Sequence, residues 1–319
     1  MKILLVNKYL YRKGGAETYF IKLGEYLKSL GNEVEYFGMA DERNCVENRV
    51  EAYTENIDFH KKSLKHITYP FKIIYSVNAR KQIRKVLSDF KPDVVHLNNF
   101  NYQLTPSIIY EIKKHNIPIV YTAHDVQLVC PNHKLKNDYT YGLCRKCDGG
   151  KYFECVKNNC VHSSKIRSIL GAVEAWYYKL RHTYKMIDLT VCPSEFMEKE
   201  ISRNDDINGR TVTMYNFIDE IKPLGAECEN YVLYFGRYSE EKGILNLVKA
   251  AKKLSNIPFV FAGKGELENE VNSADNIKNV GFKTGDELRN IIEKALFTVL
   301  PAEWSENCPF SVMESQSLM

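Results

Sequence analysis

Apolar runs alternate with stretches of helical periodicity along the whole chain, and this alternation is typical of a parallel α/β sheet. In the first part of the chain, the pattern predicts strands at 2–6, 33–38, 91–97, 117–123 and 189–193. Amphipathic helices are predicted at 17–30 and 163–187, and the second has a continuous apolar stripe on one face. The sequence therefore predicts an α/β domain with a mostly parallel sheet.

The alternation is interrupted at residues 222–230, which contain Pro, Gly and Glu and show no periodicity. A second alternation follows, with strands predicted at 231–237, 258–263, 277–282 and 297–301 and helices at 244–254, 286–295 and 310–319. We expect two Rossmann-like domains, at 1–222 and 223–319. The last predicted helix reaches Met319 with neither a cap nor a breaker, so we expect the second domain to be incomplete at its C-terminus.

Composition excludes several classes of protein. The chain has 319 residues, of which 44% are apolar and 26% are charged, as in ordinary soluble domains. These proportions exclude collagen, a disordered tail and a coiled coil. The sequence has no run of 18 apolar residues, and its N-terminus becomes polar too soon for a secretory signal. We therefore expect a cytoplasmic protein.

The net charge of +4 is unevenly distributed. Residues 1–222 hold 34 Lys and Arg against 26 Asp and Glu, whereas residues 223–319 hold 10 against 14. The densest basic stretch lies between residues 58 and 89 and contains Lys61, Lys62, Lys65, Lys72, Arg80, Lys81, Arg84 and Lys85. Such a stretch fits a nucleic acid, an anionic membrane or a phosphorylated substrate, and a face that is merely solvated fits it equally well.

Two features of the first domain lie where open α/β sheets bind ligands, beyond the carboxyl ends of strands. Gly14 and Gly15 precede the first helix and would let an anion approach backbone amides there, although a tight turn is the simpler explanation of a glycine pair. His124 ends the strand at 117–123, and its imidazole could donate to a hydroxyl or phosphate, with Asp125 fixing its tautomer. A structural histidine is the alternative.

The second domain holds two further pairs of charged residues. Arg237 and Lys242 bracket the turn after its first strand, and two such cations could bind a diphosphate without a metal, or form surface salt bridges with nearby glutamates. Glu306 and Glu314 are separated by seven residues and could face a common ligand. Carboxylates accept paired hydrogen bonds from sugar diols, although two glutamates at this spacing are more often solvated.

Taken together, these features resemble glycosyltransferase family 4, whose members have the GT-B fold of two Rossmann-like domains and retain the anomeric configuration of the transferred sugar. The matching segments follow the family's order along nearly the whole chain: Gly14-Gly15-Ala16-Glu17, His124-Asp125, Pro193-Ser194-Glu195-Phe196, Asn216-Phe217-Ile218-Asp219, Gly236-Arg237, Lys242-Gly243, Ala262-Gly263-Lys264-Gly265, Val280-Gly281-Phe282 and the pair Glu306/Glu314. Phe217 departs from the glycine that many relatives have.

The resemblance implies a role for each of these residues. Arg237 and Lys242 would hold the donor diphosphate. Glu314 would bind the ribose and Glu306 the transferred sugar, and His124 would contact that sugar near the reacting centre. The other implied substrate-binding residues are Gly14, Gly15, Asn216, Gly263 and Phe282.

The resemblance also implies an activity. The protein would be a retaining glycosyltransferase that moves a sugar from a nucleoside-diphosphate sugar to a carbohydrate or lipid-linked acceptor, in surface polysaccharide synthesis. No Asp-x-Asp occurs in the sequence, so we expect no catalytic metal. We also expect peripheral contact with the inner membrane face. Because the family continues beyond the helix of Glu314, the chain would be truncated and inactive alone.

Other functions stay open from the sequence. One is a non-catalytic remnant that binds sugar nucleotides. Another is a basic protein that binds a membrane surface or, less in keeping with the motifs, a nucleic acid. A related reaction on the same fold, such as sugar epimerisation or phosphorolysis, is a further alternative.

Cysteines are clustered in one segment. Five of the nine fall at 130–160, where Cys144 and Cys147 form a C-x2-C pair of the kind that binds zinc. We expect this segment to be an insert that carries structural zinc, with Cys130, Cys144, Cys147 and Cys160 as ligands and Cys155, His133 and His162 as substitutes. Reduced thiols, an iron–sulfur cluster and disulfides are the alternatives.

Overall fold

The computed structural model describes residues 1–56, 69–136 and 142–318. The chain forms two compact units, Met1–Tyr215 and Asn216–Met319, so the division falls before the expected boundary between residues 222 and 223. Of the basic stretch, Lys61, Lys62 and Lys65 lie outside the described residues.

The first unit is built on parallel strands. They are β1 (Lys2–Val6), β2 (Glu33–Phe37), β3 (Val94–Leu97), β4 (Ile119–Thr122), β5 (Leu189–Cys192) and β6 (Thr211–Thr213). In the part of the chain that the structure describes, they pair in the order β2-β1-β3-β4-β5-β6, every pair parallel. This order brings the carboxyl ends of β1, β3 and β4 side by side at one edge of the sheet.

Helices connect these strands and cover both faces of the sheet. They are α1 (Gly15–Ser29), α2 (Tyr69–Ile74), α3 (Val77–Phe90), α4 (Ser107–Lys114), α5 (Phe153–Lys157), α6 (Lys165–Leu180) and α7 (Glu195–Ile201). Alternate residues of β1 enter different cores, because side chains of a strand point to opposite faces in turn. Leu5 packs in the core that includes Phe20 of α1, whereas Leu4 packs in the core that includes Ile83 of α3.

The second unit repeats this architecture on a smaller scale. Its strands are β7 (Val232–Arg237), β8 (Phe259–Lys264), β9 (Ile277–Asn279) and β10 (Phe297–Thr298), and its helices are α8 (Ile244–Lys253), α9 (Glu268–Val271), α10 (Gly285–Lys294) and α11 (Phe310–Leu318). Among the described residues the strands pair in parallel in the order β10-β7-β8-β9. Tyr234 and Leu233 of β7 lie in separate cores on the two faces.

The long helix predicted at 163–187 is shorter in the structure. The α-helix spans Lys165–Leu180. His182 then adopts the left-handed conformation, and a 3-10 turn follows at Thr183–Met186. The break separates the apolar stripe of α6 from Tyr184, which is buried in the core of the unit. No helix in the described ranges is both long enough and apolar enough to cross a bilayer.

Candidate functional site

The carboxyl ends of β3 and β4 bring two polar side chains into contact. His124 follows β4 and Asn98 follows β3, and the imidazole Nε2 of His124 lies 2.8 Å from the amide Oδ1 of Asn98. Asn98 has no exposed surface, and the ring of Tyr19 from α1 lies edge-on to the His124 ring at 5.2 Å. The histidine is thus held from two sides at the edge of the sheet where parallel α/β folds bind ligands.

This contact determines which nitrogen of His124 carries the proton. An amide oxygen only accepts hydrogen bonds, so Nε2 of His124 donates to Asn98, and Nδ1 is the acceptor. Burial lowers the pKa of His124 to about 4, so its ring is neutral near neutral pH. A neutral His124 can therefore accept a hydrogen bond from a hydroxyl through Nδ1 but cannot act there as a cation.

Asp125 does not fix the tautomer of His124, so the sequence-based expectation was wrong on this point. Its Oδ1 accepts from the backbone N–H of Gln127 at 2.9 Å, and its Oδ2 lies 3.5 Å from Nδ1 of His133. Asp125 therefore organises the loop after β4, and Asn98 takes the role that we had assigned to the aspartate. The physical reason is the strand order, which places the end of β3 beside the end of β4.

Other polar residues near this edge were not predicted. Lys8 follows β1, and its ammonium donates to Oδ1 of Asn101 at 2.7 Å, while burial lowers its pKa. Oδ1 of the buried Asn7 accepts from the backbone N–H of Asn99 at 2.9 Å. The signal in the sequence is the group of asparagines that directly follows β3, at positions 98, 99 and 101.

The glycine pair lies at the start of α1. Gly14 is the N-cap, with φ −165°, an extended backbone that any residue adopts. A Cβ on Gly14 would meet only the Glu17 side chain, at 3.5 Å, which is ordinary contact. The turn itself therefore does not require glycine at position 14. The role of the glycine pair in binding a ligand at this helix N-terminus stays a prediction.

In the second unit, both predicted cations are paired with carboxylates. Arg237, at the end of β7, lies 2.9 Å from Oε1 of Glu241, and its side chain is 60% exposed. Lys242 is half-buried, and its Nζ lies 2.5 Å from Oε1 of Glu306. The same oxygen accepts the indole N–H of Trp304 at 2.8 Å. Glu306 is thus held by two donors, whereas Arg237 has the surface ion pair that the sequence allowed as an alternative.

Close backbone contacts bring Glu306 to Lys242. Gly243 is the N-cap of α8 with φ +72°, and a Cβ there would lie 1.9 Å from the carbonyl oxygen of Pro301. Only glycine lets the segment after β10 cross so close to the start of α8. The amide Nδ2 of Asn216 donates to the carbonyl of Cys308 at 2.8 Å, which ties the far side of this segment. Asn216 is therefore explained by a structural contact.

The remaining predicted site residues of the second unit differ in what they contact. A Cβ on Gly263 would lie 1.9 Å from the carbonyl oxygen of Gly236, so close approach of β7 and β8 already requires this glycine. Phe282 is 63% exposed, and Nζ of Lys264 lies 5.1 Å from the centre of its ring. Glu314 lies in α11, and the described contacts between Lys242, Glu306 and Trp304 do not involve it.

The cysteine segment comes together around one small cavity. The cavity is lined by Cys130, Cys144, Cys147, Cys155 and Cys160. Burial and the neighbouring cysteines raise the pKa of Cys147 to about 12. All nine cysteines lie in the described part of the chain, and none is in a disulfide. Across the described ranges, no group of three or more His, Cys, Asp or Glu has an arrangement that could hold a metal ion. The predicted clustering is present, but the side chains do not form a ligand set for zinc.

Comparisons with known proteins place this geometry in a family. Two family models match: Glycosyltransferase Family 4 over residues 13–221 and Glycosyl transferases group 1 over residues 217–318. An uncharacterized 42.6 kDa protein in the cps region of Klebsiella pneumoniae is 26% identical over 330 residues, covering 96% of this chain and 80% of that protein.

Solved structures give the same answer for the fold. Sucrose-phosphate synthase from Thermosynechococcus elongatus matches with a TM-score of 0.66 and 15% identity, over 98% of this chain and 78% of that one. The crystal structure of Anabaena HepE in complex with UDP matches with a TM-score of 0.63 and 15% identity, over 100% and 79%.

The fold is therefore that of the GT-B glycosyltransferases, with two Rossmann-like domains. The chain belongs to glycosyltransferase family 4, and the protein is a glycosyltransferase. The predictions of fold class, family and class of enzyme made from the sequence are confirmed.

Proposed function

We propose that the protein transfers a sugar from a nucleoside-diphosphate sugar to a carbohydrate or lipid-linked acceptor, with retention of configuration, in the synthesis of a surface polysaccharide. Structures of Anabaena HepE contain UDP, UDP with glucose, and UDP-glucose. The Klebsiella relative is named for a cps region. These relatives support a uridine nucleotide donor and a role in polysaccharide synthesis.

The observation that carries the proposal is the contact of Lys242 with Glu306 at the start of α8, with Arg237 at the end of β7. An arriving diphosphate can replace the carboxylates as the partner of both cations. The two cations then stabilise the negative charge that develops on the departing diphosphate, without a metal. Arg237 supplies a planar donor fork and Lys242 a point charge.

Displacement of Lys242 also frees Glu306 for the sugar. Trp304 continues to hold Oε1 of Glu306 at 2.8 Å, which fixes the carboxylate while its second oxygen accepts from a sugar hydroxyl. In our proposal, Glu306 therefore recognises the transferred sugar, and Glu314 the ribose. Gly14 and Gly15 present backbone amides to a ligand, and Phe282 with Gly263 lies near the base.

His124 contributes in its neutral form. Asn98 fixes Nε2–H, so Nδ1 is available to accept a hydrogen bond from a hydroxyl of the transferred sugar. We propose no protein nucleophile. In a retaining transfer of this kind, the acceptor approaches on the face of the leaving group, and an oxygen of the diphosphate takes the acceptor proton.

Two finer proposals accompany this function. We propose that the enzyme works at the inner face of the membrane, which suits a lipid-linked acceptor. We also propose that the cysteine cavity binds structural zinc, since five thiols line one space, although their side chains would have to turn to coordinate an ion.

The proposed function is tested by donor binding and by the product. Titration calorimetry with UDP-glucose, UDP-galactose, UDP-N-acetylglucosamine and ADP-glucose should show saturable binding of at least one donor. The anomeric coupling constant of the glycoside formed by an active chain should match that of the donor. Absence of binding to any nucleotide sugar would contradict the proposal, and an inverted product would contradict retention alone.

A further inference from the structure

Helix α6 exposes a continuous apolar stripe. Its residues are Ile166, Ile169, Val173, Trp176 and Leu180, all exposed. They recur every three or four positions, so they lie along one side of the helix. The ends of the stripe are the most open, with Ile166 at 73% and Leu180 at 79% exposure. An exposed apolar stripe of this length marks an interaction surface.

The opposite side of α6 anchors the helix to the first unit. Ser168 and Ala172 are buried and small, which seats the helix closely, and the hydroxyl of the buried Tyr178 donates to the carbonyl of Ile74. The side chain of Ser164 accepts from the Arg167 N–H and caps the helix. The stripe is therefore presented by a firmly packed helix and is not the result of a loose one.

Trp176 is placed at the edge of this surface. Its indole N–H donates to the carbonyl of Gly150 at 3.0 Å, and its ring lies 6.3 Å from that of Tyr152. The polar end of the indole is thus satisfied by the protein, while 37% of the residue remains exposed. Tryptophan with one polar and one apolar side is enriched at membrane–water interfaces.

Basic side chains flank both ends of the stripe. Lys165 and Arg167 are exposed at the first turn of α6, and Arg181 and Lys185 are exposed just beyond its end. The only acid within the α6 sequence is Glu174, which is half-buried and faces His133 rather than the basic ends. The surface is therefore apolar along its centre and cationic at both ends.

This charge pattern decides between two occupants. The stripe has the spacing of a helix-pairing seam, so a second copy of α6 could in principle cover it. Two copies, however, would bring the basic ends together in either orientation, with no exposed acid on α6 to compensate. An anionic bilayer supplies both an apolar layer and negative headgroups. The stripe covers 14 steps of the helix, about 21 Å, which suits a helix lying in the interface.

We propose that α6 docks the protein on an anionic lipid bilayer, with Ile166, Val173 and Leu180 inserted below the headgroups and the basic ends in contact with them. The helix would lie in the plane of the membrane. The proposal rests on the membrane contact in the proposed function and deepens it by naming the surface that docks. None of the residues proposed to bind the donor lies in α6, so loss of docking and loss of donor binding can be distinguished.

The test is pelleting of the full chain with sucrose-loaded vesicles at low salt. Vesicles of phosphatidylcholine mixed with phosphatidylglycerol should pellet the protein, and vesicles of phosphatidylcholine alone should do so much less. Ile166→Ser with Leu180→Ser should reduce pelleting by at least about tenfold. Lys165→Glu with Arg167→Glu should do the same, because each basic residue near an anionic surface contributes roughly a fivefold factor.

Matched controls carry the same changes on other surfaces. Leu30→Ser replaces an exposed leucine of the first unit, and Lys252→Glu with Lys253→Glu reverses two exposed lysines of α8. Both should leave pelleting unchanged, and donor affinity should be unchanged in every variant. If the controls lose as much vesicle pelleting as the α6 variants, the proposal is wrong. It is also wrong if the unaltered chain pellets no more with vesicles than without them. A dimer in sedimentation velocity that Ile166→Ser with Leu180→Ser dissociates, without vesicle binding, would show that α6 pairs with a second copy instead.

Discussion

The ammonium of Lys242 lies 2.5 Å from Oε1 of Glu306, although 63 residues separate them in the sequence. Their side chains are 21% and 17% exposed, so solvent screens their attraction less than it screens that of Arg237 and Glu241, where Arg237 is 60% exposed. The pair links the residue proposed to hold the diphosphate with the residue proposed to hold the sugar. Donor binding should therefore change the partners of both at once.

The first prediction concerns Glu306→Gln. Loss of the carboxylate frees Lys242, so affinity for UDP should be unchanged or higher. The UDP-sugar should bind more weakly, because its sugar loses a hydrogen bond to a charged acceptor, which contributes about 1.5–3 kcal/mol. Calorimetry gives the dissociation constants of UDP and of the UDP-sugar. The constant for UDP divided by the constant for the UDP-sugar should fall by about tenfold or more.

Glu303→Gln is the matched control for this change. Glu303 lies in the same segment and accepts from Nδ2 of Asn246 at 2.6 Å, away from Lys242. The ratio of dissociation constants should be unaffected by it. If Glu306→Gln leaves the ratio unchanged as well, Glu306 does not recognise the sugar.

The second prediction concerns Asn98→Asp. A carboxylate at position 98 would still accept from Nε2–H of His124, but its charge would stabilise the protonated ring. The pKa of His124 should then rise from about 4 towards the ordinary histidine range. Nitrogen NMR of the imidazole through a pH titration would show this rise, and would show the Nε2–H tautomer in the unaltered protein. An Nδ1–H tautomer there would contradict the proposed role of Asn98.

The third prediction concerns acid stability. Burial, with a further contribution from His124, lowers the pKa of His96 to about 4, whereas an unfolded histidine titrates near 6.5. As the pH falls below 6.5, the unfolded chain gains a proton that the folded chain does not, so the free energy of unfolding declines until about pH 4. In the unaltered protein, Nε2 of His96 lies 2.7 Å from the hydroxyl of Thr122. A glutamine at position 96 can keep this hydrogen bond and does not titrate.

The measurement is urea unfolding of both proteins near pH 7 and near pH 5. The unaltered chain should lose up to about 2 kcal/mol more than His96→Gln over this interval. His115→Gln is the control, since it makes the same substitution at an exposed histidine. Equal losses in all three proteins would mean that His96 titrates normally in the folded state.

The fourth prediction concerns the cysteine cavity. Protein purified under reducing conditions with added zinc should contain about one zinc per chain, and Cys147→Ser should lower this content sharply. Cys228→Ser, at an exposed cysteine of the second unit, should not. If elemental analysis finds no zinc, the zinc proposal is wrong and the segment is a cluster of reduced thiols. Strong visible absorbance would indicate an iron–sulfur cluster instead.

Much of the fold could be predicted because it depends on local pattern. Strands β1 and β7 each contain four consecutive apolar residues, 3–6 and 232–235, and both strands were predicted from them. Helix α3 was not predicted, although its buried Ala79, Ile83 and Phe90 have helical spacing, because its many cations also fit a solvated basic stretch. The contact of His124 with Asn98 could not be predicted, since it depends on the neighbouring positions of β3 and β4 in the sheet.

The candidate site, too, could be predicted from the sequence only in part. The family motifs identified Arg237, Lys242 and Glu306 by position, but not their partners. The approach of Glu306 to Lys242 depends on the segment after β10 crossing Gly243, a contact between residues far apart in the sequence. Sequence patterns thus located the chemistry, and the chain's tertiary packing determined which groups meet.

The central claim is that two cations of the second unit hold the donor diphosphate, and calorimetric titration of UDP tests it most directly. Arg237→Ala and Lys242→Met should each weaken UDP binding by about 1.5–3 kcal/mol, roughly tenfold to a hundredfold. Arg289→Ala, which removes an arginine paired with Asp286 on α10, should leave UDP affinity unchanged. UDP affinity in Arg237→Ala and Lys242→Met equal to that of the unaltered chain would contradict the account.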